Sequence, residues 1–271
     1  MIAMTTISSV TDLAVAKTDD LIDACMDWRV LAGLLAFYLV VSKPLVFFLR
    51  DGFGVDPKGF LLKQFVFWHN VVLAIFSGIV FMKSLPIMID VLKSGGWEGL
   101  HVDAKFFDGT DFGWWAKVFY CSKFYEFIDT WILILKGKEA SFLQVYHHTG
   151  IAIAMWAACV TGSNWVVWPV VLNSFIHTLM YTYFAAATLG YRSPLAKMLT
   201  TMQLTQFVMG IILSSSTYIY GKATQEQVAS LVFIQVYAVG LIYLFKQMYN
   251  NKYNKNKNKN KNKNKNKNKE A

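Results

Sequence analysis

Apolar residues fill most of this chain in runs of about twenty, separated by short polar stretches. A hydrocarbon core of about 30 Å needs about 20 helical residues. Seven runs meet that length: residues 28–49, 62–92, 113–135, 142–160, 165–189, 197–220 and 226–249. The pattern therefore predicts an all-α integral membrane protein with seven transmembrane helices. The second run contains Pro86, which predicts a kink or an early end there. Linkers are short except 93–112, which carries Gly95-Gly96 and mixed charge.

The two ends differ from the body. Residues 1–27 hold Asp12, Asp19, Asp20, Asp23 and Asp27 and no apolar core of signal-peptide length, so the first span is expected to act as the insertion signal. From Asn254 to Lys269 the chain alternates Asn and Lys, a composition that predicts disorder. The expected organisation is a lumenal segment 1–27, a membrane domain 28–249 and a cytosolic tail 250–271. Short loops on the tail's side hold Arg50, Lys58, Lys63, Lys136, Lys138, Arg192 and Lys197, against Lys93, Lys105 and Lys222 opposite. The positive-inside rule then places the N-terminus in the lumen and the C-terminus in the cytosol. The last residues, Lys267-Asn-Lys269-Glu-Ala271, resemble a lysine-based retrieval signal for the endoplasmic reticulum.

Composition agrees with a membrane chain: 55% of residues are hydrophobic and 16% aromatic. The net charge of +9 is misleading, because residues 251–271 contribute nine Lys and one Glu. That leaves a nearly neutral body with no basic face for nucleic acid. Cys25, Cys121 and Cys159 have no metal-ligand spacing and read as small buried hydrophobes.

Polar residues inside the spans carry the chemistry, since a polar ring in hydrocarbon is costly and tends to be functional. Lys123, Glu126 and Asp129 recur at i, i+3, i+6 on one face of the third span. Gln144 shares a face with His147 and His148 in the fourth. Asn173, His177 and Tyr181 follow at i, i+4, i+8 in the fifth, and Thr200, Gln203 and Gln206 recur at three in the sixth. At 1.5 Å per residue from the cytosolic ends, Asp129 and His147 lie about 8–10 Å deep, Gln203 and Gln206 about 9–14 Å, and Lys123 and His177 about 18 Å. Overlapping depths on four helices predict one polar chamber open to the cytosol, with an apolar tunnel continuing toward the lumen. Such a chamber suits a substrate with a polar carrier and a long hydrocarbon.

Buried imidazoles are expected to be neutral near pH 7. A neutral imidazole can attack a thioester and the acyl-imidazole formed is itself an acyl donor, while a second histidine polarises a carbonyl or moves a proton. Lys123 and the amides can hold developing negative charge. Other readings stand beside this one. A histidine-box metal site of the desaturase or hydroxylase kind needs about eight histidines, and this chain has five. Single polar residues such as Thr200 and Asn173 also serve as helix–helix contacts. His69 reads as a packed or interfacial residue. Seven spans alone equally describe receptors and transporters.

The motifs resemble the ELO family of very-long-chain fatty acid elongases, or 3-oxoacyl-CoA synthases, over residues 28–249. Lys123-Phe-Tyr-Glu126-Phe-Ile-Asp129-Thr130 is similar to the family's KxxExxDT motif, and Gln144-Val-Tyr-His147-His148 to its H/QxxHH box. His177-Thr-Leu-Met180-Tyr181 is similar to HxxMY, and Thr200-Thr-Met-Gln203-Leu-Thr-Gln206 to TxxQxxQ. The resemblance implies a fold in which helices 2–7 form a closed barrel around an acyl tunnel. It implies condensation of a long-chain acyl-CoA with malonyl-CoA through an acyl-imidazole on His147, with His177 opposite and His148 beside it. It implies no metal and no other cofactor. Lys123, Glu126, Asp129, Gln144, Asn173, Tyr181, Gln203 and Gln206 become substrate-binding candidates. The implied partners are the bilayer, a second copy of the chain as a homodimer, and the ketoacyl reductase, dehydratase and enoyl reductase of the elongation cycle. Gln144, where many members carry His, resembles the subclass acting on C18 polyunsaturated chains, as does the preceding segment Leu135-Lys-Gly-Lys138 to Ser141-Phe-Leu.

Overall fold

A computed structural model describes residues 18–102, 104–191, 195–220 and 222–254. The segment up to residue 17, Arg192 and the alternating tail from residue 255 lie outside the described residues. Among the described residues all regular structure is helical. α1 spans Trp28–Gly52, α2 Phe60–Val102, α3 Phe112–Tyr125 and α4 Phe127–Leu135. α5 spans Phe142–Val160, α6 Val167–Thr188, α7 Leu195–Ser214, α8 Ser216–Tyr220 and α9 Gln225–Tyr249.

Local chemistry explains several ends. Asp27 and Ser141 cap α1 and α5, each accepting a backbone N–H with its side chain. Thr224 and Gln227 form a reciprocal capping box at the start of α9. Gly137, at φ 69°, takes the left-handed conformation that closes the turn after α4. Within α1 a π turn covers Phe37–Val41. Pro44 follows and has no amide to bond back to the Val40 carbonyl, which accounts for the widened turn.

Helices occupy all seven stretches expected from the sequence, but one expectation needs correction. The second helix does not end at Pro86. It stays helical to Val102 apart from Gly96, whose φ of 63° and ψ of −162° are open only to glycine. The supposed linker from residue 93 is thus largely helical, with a further turn at Ala104–Asp108. Among the described residues, five helices are long and apolar enough by themselves to cross a membrane: Trp28–Gly52, Phe60–His101, Asn164–Thr188, Leu195–Tyr220 and Gln225–Tyr253. α3 and α4 fall short singly because Glu126 separates them, and α5 is diluted by Gln144, His147 and His148.

The exterior is apolar. Leu61 is 82% exposed, Ile219 80% and Val236 67%, on three different helices. Such a surface suits lipid rather than water. Inside, α2 packs on α3 and α6, α6 on α7, α7 on α9, α9 on α5, and α5 on α3, while the C-terminal part of α1 lies against α4. A dense aromatic core, including Phe107, Phe112, Phe119, Tyr120 and Trp165, fills the end where α3 begins and α5 finishes. The polar residues gather nearer the opposite end.

Candidate active site

Lys123 and Glu126 form the deepest charged pair. They stand three apart across the junction of α3 and α4, where backbone hydrogen bonds Glu126 N to Ser122 O and Asp129 N to Glu126 O keep the helical course. Lys123 Nζ donates to Glu126 Oε1 at 2.6 Å, with both side chains almost wholly buried. Nζ also sits 3.8 Å from the Phe119 ring centroid and 3.5 Å from Asn173 Oδ1. The ammonium therefore has a carboxylate, a π face and an amide oxygen around it, which offsets its loss of water. His177 Nδ1 lies 3.6 Å from the same Glu126 oxygen. Among the described residues, Glu126 Oε2 and His177 Nδ1 have no hydrogen-bond partner. Buried polar atoms left this way cost about 1–3 kcal/mol each, a cost met where a substrate supplies the partner.

One turn further along, Asp129 is held twice. Tyr181 Oη donates to Oδ2 at 2.7 Å, and His69 Nε2 to Oδ1 at 2.9 Å. His69 is a packed residue, buried on α2 and stacked on Tyr125, and through Asp129 it also joins the polar cluster. Only the dipeptide His69-Asn70 inside an apolar run signalled it, and helical spacing within α2 could not show which helix it faces.

The adjacent histidines go separate ways, because neighbours on a helix point about 100° apart. His148 is buried edge-on to Tyr38 and Phe127, and Gln144 Nε2 donates to its Nε2 at 2.9 Å. Tyr38 in turn shares a 2.9 Å hydrogen bond with Thr130. His147 instead faces the interior, with its Nδ1 3.0 Å from Tyr237 Oη on α9. Tyr38 and Tyr237 carry no sequence signal beyond being tyrosines in apolar runs.

A cavity is lined at one end by His147, Asn173 and Gln206. It continues past Leu172, Phe207 and Leu241 and ends against Trp165, Trp168, Ser214 and Gln235. Asn173 to Trp165 is eight residues of chain, so the bore runs about 12 Å beyond the polar cluster. Of the α7 residues singled out by sequence, Gln206 lines the cavity, with its Oε1 unpartnered. Gln203 turns aside to Met180 Sδ at 3.2 Å, and Thr200 bonds back to Ala196 O within its own helix.

Glu126, His147 and His177 each offer one ligand atom, all within 4.8 Å of one another. Such a triad could approach a cation, but Lys123 Nζ already neutralises Glu126 at 2.6 Å. A divalent ion there would face an ammonium in a medium of low dielectric, which opposes binding. The arrangement suits acyl chemistry better. An imidazole stands at the head of an apolar bore, with a second imidazole and an ion pair beside it.

Comparison with known proteins adds the following. The model of the family described as ELO: GNS1/SUR4 family matches residues 24–261. Fatty acid elongase sre1 of Dictyostelium discoideum is 30% identical over 226 residues, covering 80% of this chain and 82% of the relative. Fatty acid elongase 1 of Trypanosoma brucei brucei is 32% identical over 202 residues, 70% of this chain and 66% of the relative. Long chain fatty acid elongase 2 of Caenorhabditis elegans is 30% identical over 193 residues, 69% and 67% of the two chains.

Proposed function

The chain belongs to the ELO: GNS1/SUR4 family, and from that premise we propose that it is the condensing acyltransferase of fatty acid elongation, joining a long-chain acyl-CoA to malonyl-CoA. The observation that carries the mechanism is His147 at the polar mouth of an apolar cavity, opposite His177. The acyl chain lies in the bore and brings its thioester carbon to the His147 ring. The imidazole nitrogen attacks, the C–S bond breaks, and CoA leaves as its thiol with the proton that the imidazole gives up. Malonyl-CoA then loses CO2, and its enolate carbon attacks the acyl-imidazole. The C–N bond breaks, the 3-oxoacyl-CoA departs two carbons longer, and His147 takes up one proton. His177, whose Nδ1 lies 3.6 Å from Glu126 Oε1, supports the malonyl carbonyl as charge develops, with Lys123 held on Glu126. Asn173 and Gln206 contact the substrate at the cavity mouth. Asp129 and Tyr181, with His69 behind them, hold the neighbouring wall, and His148 with Gln144 braces the helix that presents His147.

Several further features belong to this reading. The neighbour pairs α2–α6–α7–α9–α5–α3–α2 run in a cycle, which supports a closed six-helix barrel with α1 outside and seven spans in all. The charge bias of the loops supports a lumenal N-terminus in the endoplasmic reticulum. Long-chain acyl-CoA, malonyl-CoA and the other elongation-cycle enzymes are the partners, with a second copy of the chain as another.

The direct test uses purified enzyme and acyl-CoA without malonyl-CoA. It should release about one equivalent of CoA and retain one covalent acyl group, and His147→Ala should do neither. A His147→Ala protein acylated like the unaltered enzyme would sink the assignment. A parallel test addresses metal: activity should survive exhaustive chelation, and loss restored by one particular ion would replace this chemistry with a metal-assisted one.

A further inference from the structure

The nucleophile assigned to His147 has two ring nitrogens, and only the one without a proton can attack. Tyr237 Oη lies 2.9 Å from the His147 carbonyl oxygen and 3.0 Å from its Nδ1. A phenol has one proton to give. If that proton went to Nδ1, two oxygens that only accept would stand 2.9 Å apart with nothing between them. If it goes to the carbonyl, Nδ1–H donates to Oη and both contacts become hydrogen bonds. Only the second arrangement satisfies every atom.

The packing that holds Tyr237 there is reciprocal. A Cβ on Gly150, three residues after His147, would collide with the Tyr237 ring. A Cβ on Gly240, three residues after Tyr237, would collide with the Tyr146 hydroxyl. Each helix thus presents a tyrosine to a glycine of the other, with ring centroids 5.4 Å apart and Tyr146 Oη donating to the Tyr237 carbonyl at 3.3 Å. Small residues at a helix contact allow this close approach. Tyr237 is buried, and both it and His147 line the cavity.

We propose that Tyr237 is a positioning residue that holds His147 as the Nδ1–H tautomer and so makes Nε2 the nitrogen that receives the acyl group. The Nε2 lone pair forms the bond to the thioester carbon as the C–S bond breaks. The Nδ1 proton, held until then against Tyr237 Oη, is the one surrendered to the departing thiolate. The products are a neutral Nε2-acyl imidazole and CoA thiol. The inference rests on the acyl-imidazole reading above for its consequence, but not for the tautomer itself.

The experiment uses full-length enzyme labelled with 15N-histidine, the His147 signals being those lost in His147→Ala. In the unaltered protein Nδ1 should be protonated and Nε2 not. Tyr237→Phe keeps the ring seated on Gly150 and removes the hydroxyl. It should give a mixture of tautomers and slow CoA release from acyl-CoA alone by roughly ten- to a hundredfold, the scale seen when a histidine loses its orienting partner. The KM for acyl-CoA should stay within about twofold, since binding lies in the bore. Gly150→Ala retains the hydroxyl but displaces the ring, and should slow acylation in the same direction. Nε2–H in the unaltered protein overturns the proposal, as does a Tyr237→Phe enzyme acylated at the unaltered rate. If the unaltered enzyme forms no acyl adduct, the nucleophile reading fails instead, and the 15N spectrum still decides the tautomer.

Discussion

Lys123 and Glu126 show what a single residue costs in this interior. Both are nearly fully buried and each is the other's main partner, at 2.6 Å. Removing one leaves a charge with nothing to balance it, typically a loss of about 3–5 kcal/mol, whereas replacing both with uncharged residues of similar size costs much less. Glu126→Gln and Lys123→Met should therefore each lower the unfolding temperature more than the Glu126→Gln/Lys123→Met double variant, measured by thermal unfolding in detergent. Additive losses would show that the two do not act as a pair. All three variants should lose condensing activity, because the pair stands beside His177, whose Nδ1 lies 3.6 Å from Glu126 Oε1. The i, i+3 spacing made this pair legible in the sequence. The Phe119 face lies one turn back on the same helix, whereas the Asn173 oxygen beside the ammonium was not legible, since it follows from how α3 meets α6.

Helices α5 and α9 make the element-scale case. The Gly150–Tyr237 and Gly240–Tyr146 contacts leave no room for a methyl group on either glycine. Gly240→Ala should destabilise the protein by about 1–3 kcal/mol through overpacking. The nearest atom to the new methyl is the Tyr146 hydroxyl oxygen, so adding Tyr146→Phe should restore part of the loss. A double variant no more stable than Gly240→Ala alone would place the strain elsewhere. The limits of α5 agree with the expected run 142–160, because Ser141 caps its start and Gly162, at φ 57°, turns the chain soon after Val160. α2 runs past the expected limit of residue 92, and Pro86 does not end it. A proline costs a helix one hydrogen bond and some crowding, whereas Gly96 adopts angles closed to other residues.

At the scale of the whole molecule the question is which acyl chain the bore accepts. Gln144 reaches His148 rather than the cavity, with a 2.9 Å hydrogen bond. Its influence on substrate must therefore pass through the seating of α5 rather than by direct contact. Preference for C18 polyunsaturated over saturated acyl-CoA is the expected outcome when both compete in one assay with malonyl-CoA. Gln144→His should shift that ratio while leaving substantial total activity, because an imidazole can still bond to His148. Faster elongation of saturated C16 or C18 chains by the unaltered enzyme would reject the subclass and leave the condensing reaction standing.

Run length, helical spacing and residue type by themselves determined that the chain is helical and apolar, and that Lys123, Glu126, Asp129, Asn173, His177 and Tyr181 present polar groups along two of the expected spans. Those are local properties, set by 1.5 Å and 100° per residue. Tertiary structure alone decided which polar group meets which. His69 was brought to Asp129 from 60 residues away, and Tyr237 to His147 from 90. It also sent His147 to the cavity and His148 to an aromatic niche behind it. Such choices depend on how far each helix rotates and slides against its neighbours. Side-chain volumes at the contacts fix that, Gly150 and Gly240 above all, and spacing along one helix carries no record of it.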